Sequence, residues 1–381
     1  LIIFPSITFA AYNNEGIGIL SDSNSDEYRA NDNRGGTYAA TTFNWAELLV
    51  KKRNLNFGPW GTWSDNRRTG YKYNWSKSGN LTRDLIDSGQ ATGLASQIRS
   101  GEVKYVFIHI GVNDFNFWNQ TYDSVYNNTV NINTKVNEII SKMNQAIDII
   151  KQAGNTQIVM TSIGDPGIFP PIAMLYPDPT KRARVTNAIN TINTAWEAKA
   201  DANGIVFVDL NTVMTANVVS KLDSSGDILI AGEKIHVFAQ NNEPHHFRLG
   251  DTAGHLGTVA NGLMANLWFT QPFNTNFNLN ITPFTQYEML TNAGITPTTV
   301  PTPTPLPPTP TNSPTPTSTP LSRPCPLIGD TNLCDNVVNA LDFTYLSSKF
   351  GTNDPKADLK QDGVINVLDY SILSANFGKT L

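Results

Sequence analysis

Tyr105-Val106-Phe107-Ile108-His109-Ile110, followed at once by Gly111-Val112-Asn113-Asp114, is the stretch that decides the fold. A nearly unbroken apolar run suits a strand buried on both faces, as in a parallel sheet. The Gly-Val-Asn-Asp that follows is turn-forming and falls at the carboxyl end of that strand. Runs of the same kind occur at Ile17-Gly18-Ile19-Leu20, Tyr71-Lys72-Tyr73-Asn74-Trp75, Gln157-Ile158-Val159-Met160-Thr161-Ser162 and Ile205-Val206-Phe207-Val208-Asp209. Helix-like stretches near 39–53, 81–99, 131–153 and 181–203 separate them. The alternation predicts an α/β protein: a three-layer α/β/α sandwich around a central parallel sheet, with right-handed crossovers. Ligands of such sheets bind beyond the carboxyl ends of the strands, which directs attention to the residues just after Leu20, Trp75 and Ile110.

Those places carry Ser21-Asp22-Ser23-Asn24-Ser25, then Ser76-Lys77-Ser78-Gly79-Asn80-Leu81-Thr82, then Gly111-Val112-Asn113-Asp114. Further on, Asp251-Thr252-Ala253-Gly254-His255-Leu256 precedes an apolar stretch from Val259 to Phe269. Singly these are weak, since a serine after a strand is commonly a helix cap and a loop glycine serves a turn. Their order at the strand ends is the informative feature.

In that order the four segments resemble the blocks of the SGNH (GDSL-like) hydrolases: GDS, a glycine block, GxND and a terminal Asp/His block. The segment from Asn80 through Gln90 is similar as well, so the resemblance spans nearly the whole large domain. It implies the flavodoxin-like fold of that family and a serine esterase chemistry. Ser23 would be the nucleophile, His255 its base, and Gly79 and Asn113 oxyanion-hole donors. The residue types suit ester cleavage, since a hydroxyl needs an imidazole to take its proton near neutral pH, and the tetrahedral oxyanion needs fixed donors. No cofactor is expected for catalysis.

Two positions depart from the family pattern. Ser21 stands where the first block has glycine, and Thr252 stands where the acid three residues before the histidine belongs. Asp251 lies one residue earlier. It orients His255 if the loop bulges; otherwise a backbone carbonyl takes that place. Ser25 is the alternative nucleophile. Asp26, Glu27 and Tyr28 read either as the lining of a substrate mouth or as the acidic first turn of a helix. Among the other histidines, His109 reads as a core residue, His236 lies in a hairpin insertion from Asp227 to Phe238, and Glu243, His245 and His246 are too close in sequence to converge readily on one metal ion.

The chain has 381 residues, enough for two or three domains, with 40% hydrophobic and 15% charged residues and a net charge of −5. No basic footprint for nucleic acid is present. Twelve of the 23 prolines lie between Pro297 and Pro326. Such Pro/Thr-rich chain is extended and coreless, which predicts a catalytic domain over 12–295, a linker over 296–324 and a small domain over 325–381. Leu1 to Ala11 reads as the tail of an export leader, with Thr8 and Ala10 at the −3 and −1 positions of its cleavage site, so a secreted or cell-surface location is expected; the competing reading is a buried first strand. No stretch is long and apolar enough to span a bilayer.

The small domain repeats an acidic segment. Asp358 to Asp369 fits a twelve-position calcium loop, with Asp358, Asp362, Asn366 and Asp369 as side-chain ligands and the Val364 carbonyl as another. Lys360 occupies a position that normally holds an acid or amide. Asp330, Asn332, Asp335, Asn339 and Asp342 match it once one residue is inserted near Leu333-Cys334. Each segment is followed by an apolar stretch ending Phe-Gly. This duplication resembles the dockerin domains, paired calcium loop–helix units that bind cohesin modules. The resemblance implies a small, mostly α domain with structural Ca2+ and a cohesin-like partner. Cys325 and Cys334 are able to pair across the first loop. Taken together, the sequence predicts a carboxylic ester hydrolase, with an acylated glycan as candidate substrate. The competing reading is a non-catalytic glycan-binding or assembly subunit.

Overall fold

The structure is a computed structural model. It describes residues 14–297 except 31–33, 64–67, 118–119, 169–171, 173–174 and 252–253, together with interrupted stretches of 325–380, among them 327–331, 334–338 and 352–361. The expected export leader and nearly all of the Pro/Thr-rich linker lie outside the described residues, as do Asn332, Asn339, Asp362, Val364 and Asn366 of the expected calcium loops. The chain divides into two compact units, Leu1–Thr302 and Pro303–Leu381.

The first unit is built on four parallel strands: β1 (Ile17–Ser21), β2 (Tyr105–His109), β3 (Gln157–Thr161) and β4 (Val206–Val208), adjacent in that order. The expected strand over Tyr71–Trp75 is reduced to one parallel bridge, Asn74 opposite Ile19. Its first residue, Tyr71, together with the preceding Gly70, instead pairs antiparallel with Trp60–Gly61. The bridge still places this segment on the free side of β1. The chain order across the sheet is therefore that of a flavodoxin-like doubly wound fold, whose switch point lies beside β1.

Alternation along the strands feeds two cores. Ile17, Ile19, Phe107 and Val159 face one side and pack with Trp45 and Phe269. Leu20, Val106, Ile108, Ile158 and Met160 face the other, against helices α2 (Gln90–Arg99), α3 (Ile132–Ala153) and α4 (Pro179–Ala202). Helix α1 (Trp45–Arg53) lies on the first side, opened by a capping box between Asn44 and Glu47. Helices on both faces make this the α/β/α sandwich expected. Trp196 of α4 is fully buried in the second core. Trp196→Ala should lower stability by ~3–5 kcal/mol, read as a lower denaturant midpoint of the large unit at unchanged slope.

The hairpin expected over Asp227–Phe238 forms: β5 (Asp227–Ile230) pairs antiparallel with β6 (Glu233–Gln240). Its two-residue turn, Ala231-Gly232, has positive φ at both positions, 46° and 86°, as a primed hairpin turn requires. Strand β7 (His246–Arg248) joins it and leads into the His255 loop.

In the second unit Val338, Leu346, Ala357, Leu359, Ile365 and Leu373 form a small core. Cys325 and Cys334 are disulfide-bonded. Among the described residues no helix is long and apolar enough to cross a membrane.

Candidate active site

The chain leaves β1 in a tight turn, with Ser25 and Asp26 N–H groups both donating to the Asp22 carbonyl. Asp22 is fully buried, and its Oδ1 accepts from the Asn24 N–H and side-chain amide at 2.9 Å each. Burial pushes its pKa up to about 7. Ser23 sits in this turn, 8% exposed. Ser25, the alternative nucleophile, has no exposure; its hydroxyl donates to Ser21 Oγ at 2.8 Å and accepts from the Trp45 indole at 3.1 Å. That hydroxyl is committed to holding α1 against the strand end. Ser21 itself ends β1 in extended conformation, so the missing glycine is accommodated without strain.

Both readings of Asp26, Glu27 and Tyr28 need correction. The segment is not a helix, and all three side chains are buried. Asp26 accepts from the Ser78 N–H at 2.6 Å and pairs with Arg68. Glu27 accepts from the Tyr71 N–H and the Asn74 amide, each at 2.9 Å. These acids fasten neighbouring loops instead of lining a mouth. Burial pushes the Glu27 pKa up to about 8. The folded chain therefore keeps a proton there that the unfolded chain has released. Stability from this group is present at acid pH and is lost as pH rises through about 8. Glu27→Gln preserves both acceptor bonds and should flatten the fall of thermal midpoint between pH 5 and 8. Melting curves across that range check it; an unchanged slope counts against a protonated Glu27.

The glycine block lies alongside. Gly79 has φ +85° and no atom within 4 Å of where a Cβ would stand, so its backbone is open and needs glycine for its conformation alone. Beyond β2, the buried Asn113 donates one amide hydrogen to the Asn80 carbonyl at 3.0 Å. Its second amide hydrogen is thereby oriented as well. Asp114 accepts from the Thr82 N–H and hydroxyl at 2.9 and 2.8 Å. The second and third segments are thus locked together. His109, by contrast, is the core residue expected: it bonds Thr161, stacks on Trp268 at 4.5 Å, and burial lowers its pKa to about 4.

In the last segment His255 Nδ1 lies 2.6 Å from Asp251 Oδ2, and Asp251 Oδ1 accepts the His255 N–H at 3.0 Å. Gly254, at φ +62°, donates its N–H to the Asp251 carbonyl at 3.0 Å. Burial opposes ionisation of Asp251, but the His255 hydrogen bond and the Arg34 cation outweigh it and hold its carboxyl below the usual range. Among the described residues no hydrogen bond joins the Ser23 hydroxyl to the His255 ring. Glu233, Glu243, His245 and His246 gather no metal-binding group among the described residues.

Arg34 is what sequence reasoning missed. Its guanidinium donates to the Ser23 carbonyl at 3.4 Å and to Ser78 Oγ at 2.9 Å, and lies 3.9 Å from Asp251 Oδ2. It also stacks over Tyr28, whose ring meets His255 edge-on at 6.3 Å. One side chain so ties together three of the four segments. Only convergence of distant segments makes it visible; nothing in the local string around Arg34 sets it apart.

Residues 32–236 match the model of the GDSL-like lipase/acylhydrolase family. The chain belongs to that family. It is a carboxylic ester hydrolase. The matched span holds Gly79 and Asn113 and excludes Ser23 and His255. Solved structures similar to this acylhydrolase include an extracellular lipase from Streptomyces rimosus, at 16% identity over 69% of this chain and 99% of that one, with a TM-score of 0.40. A phospholipase A1 from Streptomyces albidoflavus is similar at 12% identity over 69% and 99%, TM-score 0.37. An acetyl xylan esterase is similar at 13% identity over 67% and 98%, TM-score 0.38. No curated protein matches the sequence.

Proposed function

We propose that this acylhydrolase is a secreted serine esterase or deacetylase that cleaves glycan esters, working through Ser23, His255 and Asp251. The observation that carries the reading is the 2.6 Å contact of His255 Nδ1 with Asp251. With the ring proton held on Nδ1, Nε2 is the free basic nitrogen. Ser23 Oγ attacks the ester carbonyl as Nε2 takes its proton. The N–H groups of Ser23 and Gly79 and the free amide hydrogen of Asn113 donate to the oxyanion, worth about 3–4 kcal/mol for each important donor. His255 then returns the proton to the departing alcohol, leaving an acyl-Ser23. Water, activated by the same nitrogen, releases the acid. The open Ser23–His255 contact closes when substrate fills the turn, as catalytic hydrogen bonds in free enzymes commonly do. Arg34 acts by position, holding the Ser23 carbonyl and Asp251 in one frame. A p-nitrophenyl acetate assay with acetylated and de-acetylated xylan as competitors tests the reading: acetylated polymer should compete, and equal competition by both polymers contradicts a glycan ester substrate.

The second unit serves, in this reading, as a dockerin-like module for a cohesin-like partner. Asp330, Asp342 and Asp369 are buried, and among the described residues Asp330 Oδ1 has no hydrogen-bond partner. The two loops close in the same way. Asn336 and Gly363 N–H groups donate to Asp330 and Asp358, while Thr331 and Lys360 N–H groups donate to Asp342 and Asp369. This chemistry fits a hard cation. Asp330, Asn332, Asp335, Asn339 and Asp342 would hold one Ca2+, and Asp358, Asp362, Asn366, Asp369 and the Val364 carbonyl a second. The ion would neutralise these carboxylates and cross-link a unit with a small core. Calcium at a hundred times its Kd should stabilise this unit by about 2.7 kcal/mol. Calorimetry of the full chain, with and without chelator, checks it: a lower transition that ignores calcium contradicts the module.

A further inference from the structure

The first unit carries a groove of about 350 Å³ that the esterase mechanism does not use, lined by Arg29, Phe43, Glu47, Lys51, Trp60 and Tyr71. Two cations share one ring there: the Arg29 guanidinium lies 4.0 Å and the Lys51 ammonium 4.2 Å from the Phe43 centroid. Neither forms an ion pair within 4.0 Å among the described residues. Their like charges repel. Glu47 is the acid that lines the groove with them, but its carboxylate is turned inward, accepting N–H bonds from Asn44, Tyr28 and Arg29. The groove therefore presents positive charge that an incoming anion would satisfy.

Its wall is aromatic. Trp60 is 45% exposed, and Tyr71 meets it edge-on at 5.1 Å, fixing the indole plane. Among the described residues no other large exposed apolar side chain lines the groove. A lipid surface would require a broader apolar patch. A single exposed indole beside two cations suits one ring that carries both a C–H face and a carboxylate. We propose that this groove is a non-catalytic subsite for a uronic-acid residue of an acidic glycan, with the sugar face on Trp60 and the carboxylate between Arg29 and Lys51. The inference stands whichever acyl group Ser23 removes.

Isothermal titration of the full chain with tri-galacturonic acid tests it, because this ligand has no ester and binding is read without turnover. Binding is expected. It should weaken about tenfold in Lys51→Ala and in Trp60→Ala, and weaken further in 0.5 M salt, where charges are screened within about 4 Å. Neither side chain belongs to the buried core, so unchanged melting curves are expected and serve as the folding control. Xylotriose, which lacks the carboxylate, should show no heat at the same concentration. Equal binding of xylotriose, or affinity unchanged in both variants, overturns the proposal. So does inorganic phosphate competing equally in wild type and Trp60→Ala, or phosphatidylglycerol vesicles binding where the trisaccharide does not. Loss of esterase turnover with intact trisaccharide binding would fault the catalytic reading alone.

Discussion

Replacing Ser23 with alanine lowers kcat on p-nitrophenyl acetate by about four to six powers of ten and leaves folding intact. In the proposed mechanism the magnitude follows from removing the group that would form the covalent intermediate, with the oxyanion donors left in place. Among the described residues the Ser23 hydroxyl takes part in no hydrogen bond, and the turn is held by Asp22 and Asn24, with the Arg34 bond to the Ser23 carbonyl untouched by the substitution. The control is Ser25→Ala. It should lower stability, because it breaks the contacts to Ser21 and Trp45, yet leave kcat within about tenfold of wild type. Rate loss in Ser25→Ala on the scale expected for Ser23 would reassign the nucleophile.

Asp251→Asn lowers kcat by about three to four powers of ten with little change in KM. An amide in this place offers an N–H to Nδ1, which favours the wrong imidazole tautomer and takes the lone pair of Nε2 out of use. The loop survives, because the amide oxygen still accepts the His255 N–H. The folded pKa of Asp251 is depressed, so its carboxylate stays ionised through the neutral range. The stability it contributes is present above the ordinary carboxylate range and is lost only as pH falls through its folded value. Activity of the wild-type chain should therefore show no acid limb from this group within the neutral range. A variant with more than a tenth of wild-type kcat would mean that a backbone carbonyl orients the ring.

Much of this arrangement was legible in the residues. The buried runs at Ile17–Leu20 and Tyr105–His109 announce parallel strands because both faces of each are apolar. The loops after them follow from the doubly wound rule. The segment at Tyr71–Trp75 misled because its aromatic alternation looks like a full strand. In the fold it is shared between a short antiparallel pair with Trp60–Gly61 and a single bridge to Ile19. Glu27 misled for a different reason. An acid after a nucleophile turn is ordinarily solvated, and only the packing of Tyr71 and Asn74 around it reveals burial. Arg34 was invisible because its partners, Ser23, Ser78 and Asp251, are brought together by the sheet and not by sequence spacing. The inserted residue before His255 left Asp251 undecided in the sequence. The contacts of Asp251 with the His255 ring and N–H depend on where the folded loop brings the two residues, which no periodicity signals.

The most direct test is to treat the wild-type chain with a fluorophosphonate and locate the adduct by peptide mass mapping. One adduct is expected, on Ser23, formed quickly by the wild type, slowly by Asp251→Asn and not at all by Ser23→Ala. An adduct on another serine, or no adduct together with no turnover of any ester, would contradict Ser23 as the nucleophile.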